Sequence, residues 1–469
     1  MSKSREQQKN NESQMELFDS VGRAPKSVTT DGIGEGRTEG VELRSRLERQ
    51  RALTSNIMEE IVNYVNMNKS YKQVVGNGGV SGVDGMEIED FKQWYPQNIK
   101  DIREKLLTEQ YKVSPVQKVE IPKTDGGKRL LGIPTLKDRL IQQAIHQELS
   151  KHYEPYFSEH SYGFRPGRSA HQAILQASEY IKEGKQWVVD IDLEKFFDNI
   201  NHDRMMQRLS KAIGDKRLLR LINAYLKTGM MEDGLTEQRI AGTPQGGPLS
   251  PLLSNIVLDE LDKELERRGH SFCRYADDCN IYVKSKKAGE RVMTSITNYI
   301  EKKLKLKVNR QKSGVRRCSE VKFLGYTVMP EGKIRVADKS VKRLKEKVRE
   351  ITRRNRGVNF QVVIKELNRL ITGWTNYYRL ADSWLNTFRD IDSWIRRKLR
   401  CYRLKQCGRK YTIVKFLISL GCPVKKSWNV VMYSQGWWNM SKKIAVGHTM
   451  SIKWFKEQGL QSILHRMSV

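Results

Sequence analysis

The chain has 469 residues, room for two or three domains and a sizeable core, and its 85 lysines and arginines against 54 acidic residues give a net charge of +31. An excess that large points to a polyanionic partner, since each phosphate neutralised releases a counterion. No apolar run of about 18 residues is present to span a bilayer, so nucleic acid is favoured over a membrane surface. The cysteines Cys273, Cys279, Cys318, Cys401, Cys407 and Cys422 form no C-x2-C pair, and the N-terminus is too polar for a secretory signal. These features predict a reduced, cytoplasmic protein without structural zinc.

Residues 1–45 are polar, lack any period that could bury a face, and read as a disordered tail. A helical pattern starts near 46. The five glycines of VVGNGGVSGVDGM at 74–86 lack the Lys-Ser/Thr ending of a phosphate loop and read as a flexible turn. From about 112 to 330 strands and helices alternate: a hairpin from VQKVEIP and KRLLGIP, a helix over 136–150, a buried strand QWVVDIDL, and helices over 203–226 and 249–268. The strand pair FCRY and CNIYV follows, and the whole is an α+β domain. Beyond 338 the period is helical throughout. Val341, Leu344, Val348 and Ile351 mark a first helix, Phe360, Ile364, Leu367 and Ile371 a second, and Trp384, Phe388, Ile391, Ile395 and Leu399 a third. Arg396, Arg397, Lys398, Arg400 and Arg403 come almost without acidic neighbours and predict contact with RNA or a duplex. The stretch from 405 is basic and aromatic; most of its rings Trp428, Trp437, Trp438 and Trp454 are expected in the core, with some stacking on bases.

The chemistry centres on Tyr275-Ala276-Asp277-Asp278. Adjacent carboxylates at the tip of an apolar hairpin repel one another unless cations lie between them and a polyanion, so the pair invites divalent metal. A third carboxylate is needed, and Asp190 and Asp192 share one face of the strand over 187–193, so that either can supply it. The turn Thr243-Pro244-Gln245-Gly246-Gly247-Pro248-Leu249-Ser250-Pro251 lets backbone approach a ligand closely. Lys123 and Arg129, on the two arms of the hairpin, could clamp a triphosphate.

These motifs, in this order, resemble reverse transcriptases of the group II intron type. The segment Gly373-Trp374-Thr375-Asn376-Tyr377-Tyr378, similar to the helical thumb or maturase domain of those proteins, separates the chain from retroviral enzymes. The resemblance implies a right-hand polymerase fold: fingers and palm over 46–335, a helical thumb/maturase domain over 336–404, and a C-terminal nucleic-acid-binding segment over 405–469. It also implies an RNA-directed DNA polymerase using two Mg2+ ions held by Asp192, Asp277, Asp278 and the main-chain carbonyl of Leu193. Asp192 is singled out because Phe197, five residues on, then lies under the sugar of the incoming nucleotide and excludes a 2′-hydroxyl; a count from Asp190 lands on Lys195.

By the same resemblance Lys123, Arg129, Gln245 and Gly246 bind the deoxynucleoside triphosphate. Arg165 and Arg168, from Ser161-Tyr162-Gly163-Phe164-Arg165-Pro166-Gly167-Arg168-Ser169, bind the template with Gly247 and Pro248, while Asn255 belongs to the site's architecture. Leu306-Lys307-Val308-Asn309, Lys312-Ser313 and Phe323-Leu324-Gly325-Tyr326 mark the end of the palm. Implied partners are group II intron RNA as template, bound also to assist splicing, and a DNA primer or target; no membrane is implied and the oligomeric state is open. The paired cysteines and histidines of an endonuclease domain are absent, so the primer is expected from elsewhere, for instance a replication fork. The competing expectations are an RNA-binding splicing cofactor with an idle polymerase, and a domesticated or defence-associated reverse transcriptase.

Overall fold

The computed structural model describes residues 54–122, 128–232, 235–237, 246–382 and 385–467, and the backbone alone of residues 122, 128, 129, 232, 235–237 and 385. The expected tail lies outside the described residues. The first hairpin forms where the sequence puts it. β1 (Val116–Pro122) and β2 (Lys128–Ile133) pair antiparallel, from Gln117 opposite Ile133 to Pro122 opposite Lys128. β3 (Trp187–Ile191) belongs to a different sheet. β4 (Met230–Glu232) runs parallel to the start of β1 and pairs with β5 (Leu235–Glu237), giving the fingers sheet its order β2-β1-β4-β5.

The palm sheet joins β3 to β6 (Ser271–Tyr275), β7 (Asp278–Val283) and β8 (Gly314–Arg317), all antiparallel, in the order β6-β7-β3-β8. Both faces of β3 are covered, which is why it reads as an apolar run. Val188 packs with Cys273, Tyr282 and the helix Ala170–Lys182 through Ile174, Ala177 and Ile181. On the opposite face Val189 and Ile191 join Phe272, Cys279, Ile281 and Ile296 in the larger core shared with helices Leu136–Tyr153 and Ser250–Arg267.

One predicted helix proves to be two. Over 203–226 the chain forms His202–Ala212 and Lys216–Lys227, because Asp215 starts a new helix by accepting from Arg217 N at 2.9 Å. Its other carboxylate oxygen accepts from Met58 N at 3.2 Å and ties the break to the helix Ile57–Ile61. A side chain that caps locally and also reaches across the fold fixes a boundary that apolar periodicity misses.

The hairpin of β9 (Tyr326–Val328) and β10 (Ile334–Val336) leads into helices Asp338–Ile351, Phe360–Tyr377 and Leu385–Cys407, followed by shorter ones to Met467. One apolar core runs from Val336 through Phe388, Leu399 and Leu417 to Phe455 and Ile463. The expected boundary between 404 and 405 falls inside the helix Leu385–Cys407, so the thumb and the C-terminal segment pack as one body. Asp392 fastens it, accepting from Ile463 N at 2.9 Å and Leu464 N at 3.1 Å. Thumb and palm meet where two sequence landmarks touch. Tyr377 donates to the Leu324 carbonyl at 2.8 Å, Tyr326 donates to the Tyr377 carbonyl, and a Cβ on Gly325 would lie 2.6 Å from Tyr378 Oη. No described helix is long and apolar enough to cross a membrane.

Candidate active site and nucleic-acid interface

Tyr275 pairs with Asp278, leaving Ala276 and Asp277 as a two-residue turn at the tip of the β6–β7 hairpin. Ala276 has φ 57°, a left-handed conformation that favours glycine and that an alanine keeps only when its surroundings hold it. Those surroundings are close. Residues 160–163 run alongside β6, with Tyr162 N donating to Arg274 O at 2.8 Å and Arg274 N to His160 O at 2.9 Å. Gly163 touches the tip itself: a Cβ there would lie 2.4 Å from Ala276 N. Beneath the tip the wholly buried Arg274 donates to both carboxylate oxygens of Asp262, to Asn255 Oδ1 and to the Ala276 carbonyl.

Continuing the β3–β7 register one step past Ile191 opposite Cys279 sets Asp192 across from Asp278, on the face that also carries Asp190. The end of β3 is gripped from the other side. Asp192 N donates to Ser313 Oγ at 2.9 Å, Asn309 N to Asp192 O at 2.9 Å, and Glu194 N to Lys307 O at 2.8 Å. In that wide pairing of Leu193 with Val308, the carbonyl of Leu193 points away from residues 307–309.

Four carboxylates therefore converge on one end of the palm sheet. Solvent reaches the Asp278 side chain, yet crowding by the cleft walls, followed by repulsion from Asp277, Asp192 and Asp190, pushes its carboxyl up to about 7, with Lys312 pulling the other way. Asp190 is also raised, by burial, against the pull of Arg316. Two cations relieve the cluster: Arg316 Nη1 sits 2.8 Å from Asp190 Oδ2, and Lys312 Nζ 3.9 Å from Asp192 Oδ2. Among the described residues no three Asp, Glu, His or Cys side chains are yet gathered closely enough to enclose an ion. The donor chemistry nonetheless suits a hard divalent cation, with mutually repelling carboxylates at one end of the sheet. Of the two candidates on β3, Asp190 is engaged by Arg316 at 2.8 Å, whereas Lys312 stands off Asp192 at 3.9 Å.

The remaining predicted residues divide. Phe197 is half-buried against the core, its ring 5.3 Å from that of buried Phe196, in a short helix entered through Lys195 at φ 43°. Lys123 and Gln245 lie outside the described residues, and Arg129 is placed by its backbone alone, on β2 opposite Ile121. For Gly246 and Gly247 the close approach is first to protein. A Cβ on Gly246 would meet the Gly132 carbonyl at 2.8 Å, and one on Gly247 would meet Gln142 Oε1 at 2.2 Å, so this turn, with half-buried Pro248 next to it, seats against the fingers. Arg165 is corrected outright. It is buried, pairs with Glu154 at 2.8 Å and donates to the Ser158 and Ser161 carbonyls, so its guanidinium shapes the loop rather than reaching a template. Arg168 stays half-exposed, 3.8 Å from Glu159.

Sequence reading missed Arg274 and Asp262. The signal was present: an arginine in the otherwise apolar strand FCRY needs a buried partner, and Asp262 falls four residues after Leu258 and three before Leu265, on the buried face of its helix.

A second, basic surface lies on the thumb. Residues 338–469 hold 29 lysines and arginines against 8 acidic residues, a net +21 of the chain's +31. The Arg397 guanidinium lies 3.6 Å from the Trp438 ring centroid, with Lys398 Nζ 5.0 Å from it. Trp438, Lys398, Cys401, Arg354 and Thr352 line a cleft of about 290 Å³. Burial, together with Arg349, Arg354 and Arg397 nearby, pulls the Lys398 ammonium below its ordinary range. Arg400 differs: it donates to the Met450 carbonyl at 2.8 Å and finishes the helix Ile444–Thr449. Of the four tryptophans from 405 on, Trp437 and Trp454 pack on the core, and Trp428 and Trp438 face outward.

Residues 121–328 match the family described as reverse transcriptase (RNA-dependent DNA polymerase), and residues 341–416 match the group II intron, maturase-specific domain. The chain is 33% identical to Protein YkfC of Escherichia coli K12, across 53% of this chain and 75% of that protein. It is 30% identical to the group II intron-encoded protein LtrA of Lactococcus lactis, across 55% of this chain and 54% of that protein, so it spans about half of LtrA's length. A solved chain titled "Partial Cas6-RT-Cas1--Cas2 complex" superposes on 52% of this chain and 42% of its own length, with 23% identity and a TM-score of 0.34.

Proposed function

The chain belongs to the reverse transcriptases of the group II intron type, and from that premise we propose that it copies intron RNA into DNA at the β6–β7 tip while holding that RNA on its thumb, to assist splicing and mobility. The convergence of Asp277 and Asp278 with Asp192 carries this reading, because carboxylates that repel one another at one end of a sheet suit the divalent metal such a reaction needs.

Asp192, Asp277 and the Leu193 carbonyl would hold two Mg2+ ions, with Asp278 beside them. Bound there, the metal supplies charge neutralisation for the triphosphate and acidifies the primer 3′-hydroxyl for in-line attack. The protein's own part is placement. Phe197 lies under the sugar and selects against a 2′-hydroxyl, Lys123 and Arg129 clamp the triphosphate, and Gln245 with Gly246 holds the incoming base pair. Arg168, Gly247 and Pro248 border the template. Arg316, 2.8 Å from Asp190, would keep that carboxylate out of the metal set. Fingers and palm occupy residues 46–335, and the protein works in the cytoplasm, where its RNA and DNA partners meet.

The test is extension of a DNA primer annealed to RNA, with Mg2+ and deoxynucleotides. Wild type is expected to extend, and Asp277→Asn to lose extension while keeping nearly all of its RNA affinity. Residual synthesis within about tenfold of wild type in that variant would remove Asp277 from the metal set.

A further inference from the structure

Arg274 and Asp262 are both 0% exposed, and nothing in the reaction touches either. The guanidinium is used completely: Nε donates to Asp262 Oδ1 at 2.7 Å, Nη2 to Asp262 Oδ2 at 2.5 Å and to Ser161 Oγ at 2.7 Å. Nη1 donates to Asn255 Oδ1 at 3.0 Å and to the Ala276 carbonyl at 2.9 Å. Asn255 Nδ2 in turn donates to the Gly163 carbonyl at 2.9 Å. A sealed ion pair is a poor device for stability alone, since well-packed apolar residues of similar volume often serve as well. What this one does that apolar groups cannot is grip the carbonyl of Ala276.

That carbonyl belongs to the Ala276–Asp277 peptide, so its direction sets where Asp277 leaves the turn. Ala276 stands at φ 57°, which an alanine does not choose unaided. We propose that Arg274 is a positioning residue for polymerisation: held by Asp262 and Asn255, it clamps the left-handed turn at Ala276 and thereby aims Asp277 at the reacting groups. The proposal rests on the reading of Asp277 as a metal ligand and deepens it. A lysine at 274 keeps the charge opposite Asp262 but cannot span all of these acceptors. A glycine at 276 tolerates the left-handed turn without a clamp.

The experiment compares wild type, Arg274→Lys, Asn255→Ala and the double variant Arg274→Lys/Ala276→Gly in the full chain. It measures kcat and KM for deoxynucleotide on an RNA template with a DNA primer, primer–template Kd and Tm. Without metal, hydrogen exchange of the peptide over 275–279 is followed as well. Arg274→Lys is expected to lose kcat by roughly a hundredfold, as a misplacement near 1 Å does, with KM and Kd within about threefold. Exchange over 275–279 should quicken while that over 187–191 holds. The double variant is expected to regain about tenfold in kcat without regaining Tm. Asn255→Ala leaves the ion pair intact and decides the matter if Arg274→Lys does not fold, with an expected loss of about tenfold in kcat at unchanged KM.

If wild type extends and these variants stay within about threefold of its kcat, or if kcat falls only in step with Tm and glycine rescues nothing, the clamp is overturned and the polymerase reading stands. If wild type binds primer–template but extends nothing, the polymerase reading falls and the clamp falls with it.

Discussion

Gly163→Ala places one methyl group where the tip has no room. The added Cβ would lie 2.4 Å from Ala276 N, 3.0 Å from Tyr275 C and 3.2 Å from Tyr275 Cα, all of them backbone, whereas ordinary contact begins at 3.4 Å. Relief by rotating a side chain is therefore not available. One of the two segments must retreat by about 1 Å, and residues 160–163 are themselves bonded to both sides of Arg274 and to Asn255. Part of the displacement therefore passes to Asp277. A misplacement near 1 Å costs about a hundredfold in rate, or about 2.7 kcal/mol of activation free energy. The assay is single-turnover addition of one deoxynucleotide at saturating substrate, with primer–template Kd and Tm measured on the same preparation. A rate between about one-thirtieth and one-hundredth of wild type is expected, at nearly unchanged Kd. A rate within about threefold of wild type, with an unmoved Tm, would show that the tip absorbs the methyl and that the reasoning from close approach is wrong.

Gly289→Ala makes a contrasting clash inside the core, its Cβ falling 2.6 Å from Val315 Cγ1, and is expected to cost about 1–3 kcal/mol of stability by denaturant melt while activity per folded molecule is kept. Asp259 has one buried carboxylate oxygen without a hydrogen-bond partner, and burial followed by repulsion from Asp262 lifts it to about 6 against the pull of Arg208. A raised acid stabilises the fold below its unfolded value of about 3.8 and loses that contribution as pH rises through about 6, so Asp259→Asn should gain up to about 3 kcal/mol relative to wild type between pH 4 and 7.5, read as the change in the Tm difference between the two proteins. Replacing Arg354 and Lys398 by glutamine should weaken RNA binding across sequences and reduce its salt dependence by about one unit of slope per cation, and an unchanged slope would show that the Trp438 cleft meets no phosphate.

The palm was legible because its signals are short-range. QWVVDIDL carries an apolar run that only a two-sided strand satisfies, and the FCRY–CNIYV pair brackets its own turn, so β3, β6 and β7 fall within a residue or two of expectation. At Asp215 the apolar period runs on through a local cap, and the bond to Met58 N from 157 residues away that fixes the break there has no local signal. Arg165 misled for the same reason: an arginine in a loop rich in glycine looks free until Glu154 and two carbonyls come back to meet it. The merged thumb follows from Ile413, Leu417 and Phe455 completing a core begun at Val336, a fact about packing that no local period states.

The partition of charge explains how an acidic cluster survives in so basic a chain. In fingers and palm the arginines are neutralised close to home: Arg217 by Asp215 and Glu59, Arg208 by Asp259 and Glu260, Arg274 by Asp262. Across the thumb, Arg356 with Glu366 is the ion pair found among the described residues, and 29 cations face 8 acids. Such self-repulsion opposes folding, so the thumb core must outweigh it, and a polyanion laid on that surface removes the penalty. The two halves thus present opposite charge, mutually repelling carboxylates at the β6–β7 tip and a surplus of cations on the thumb.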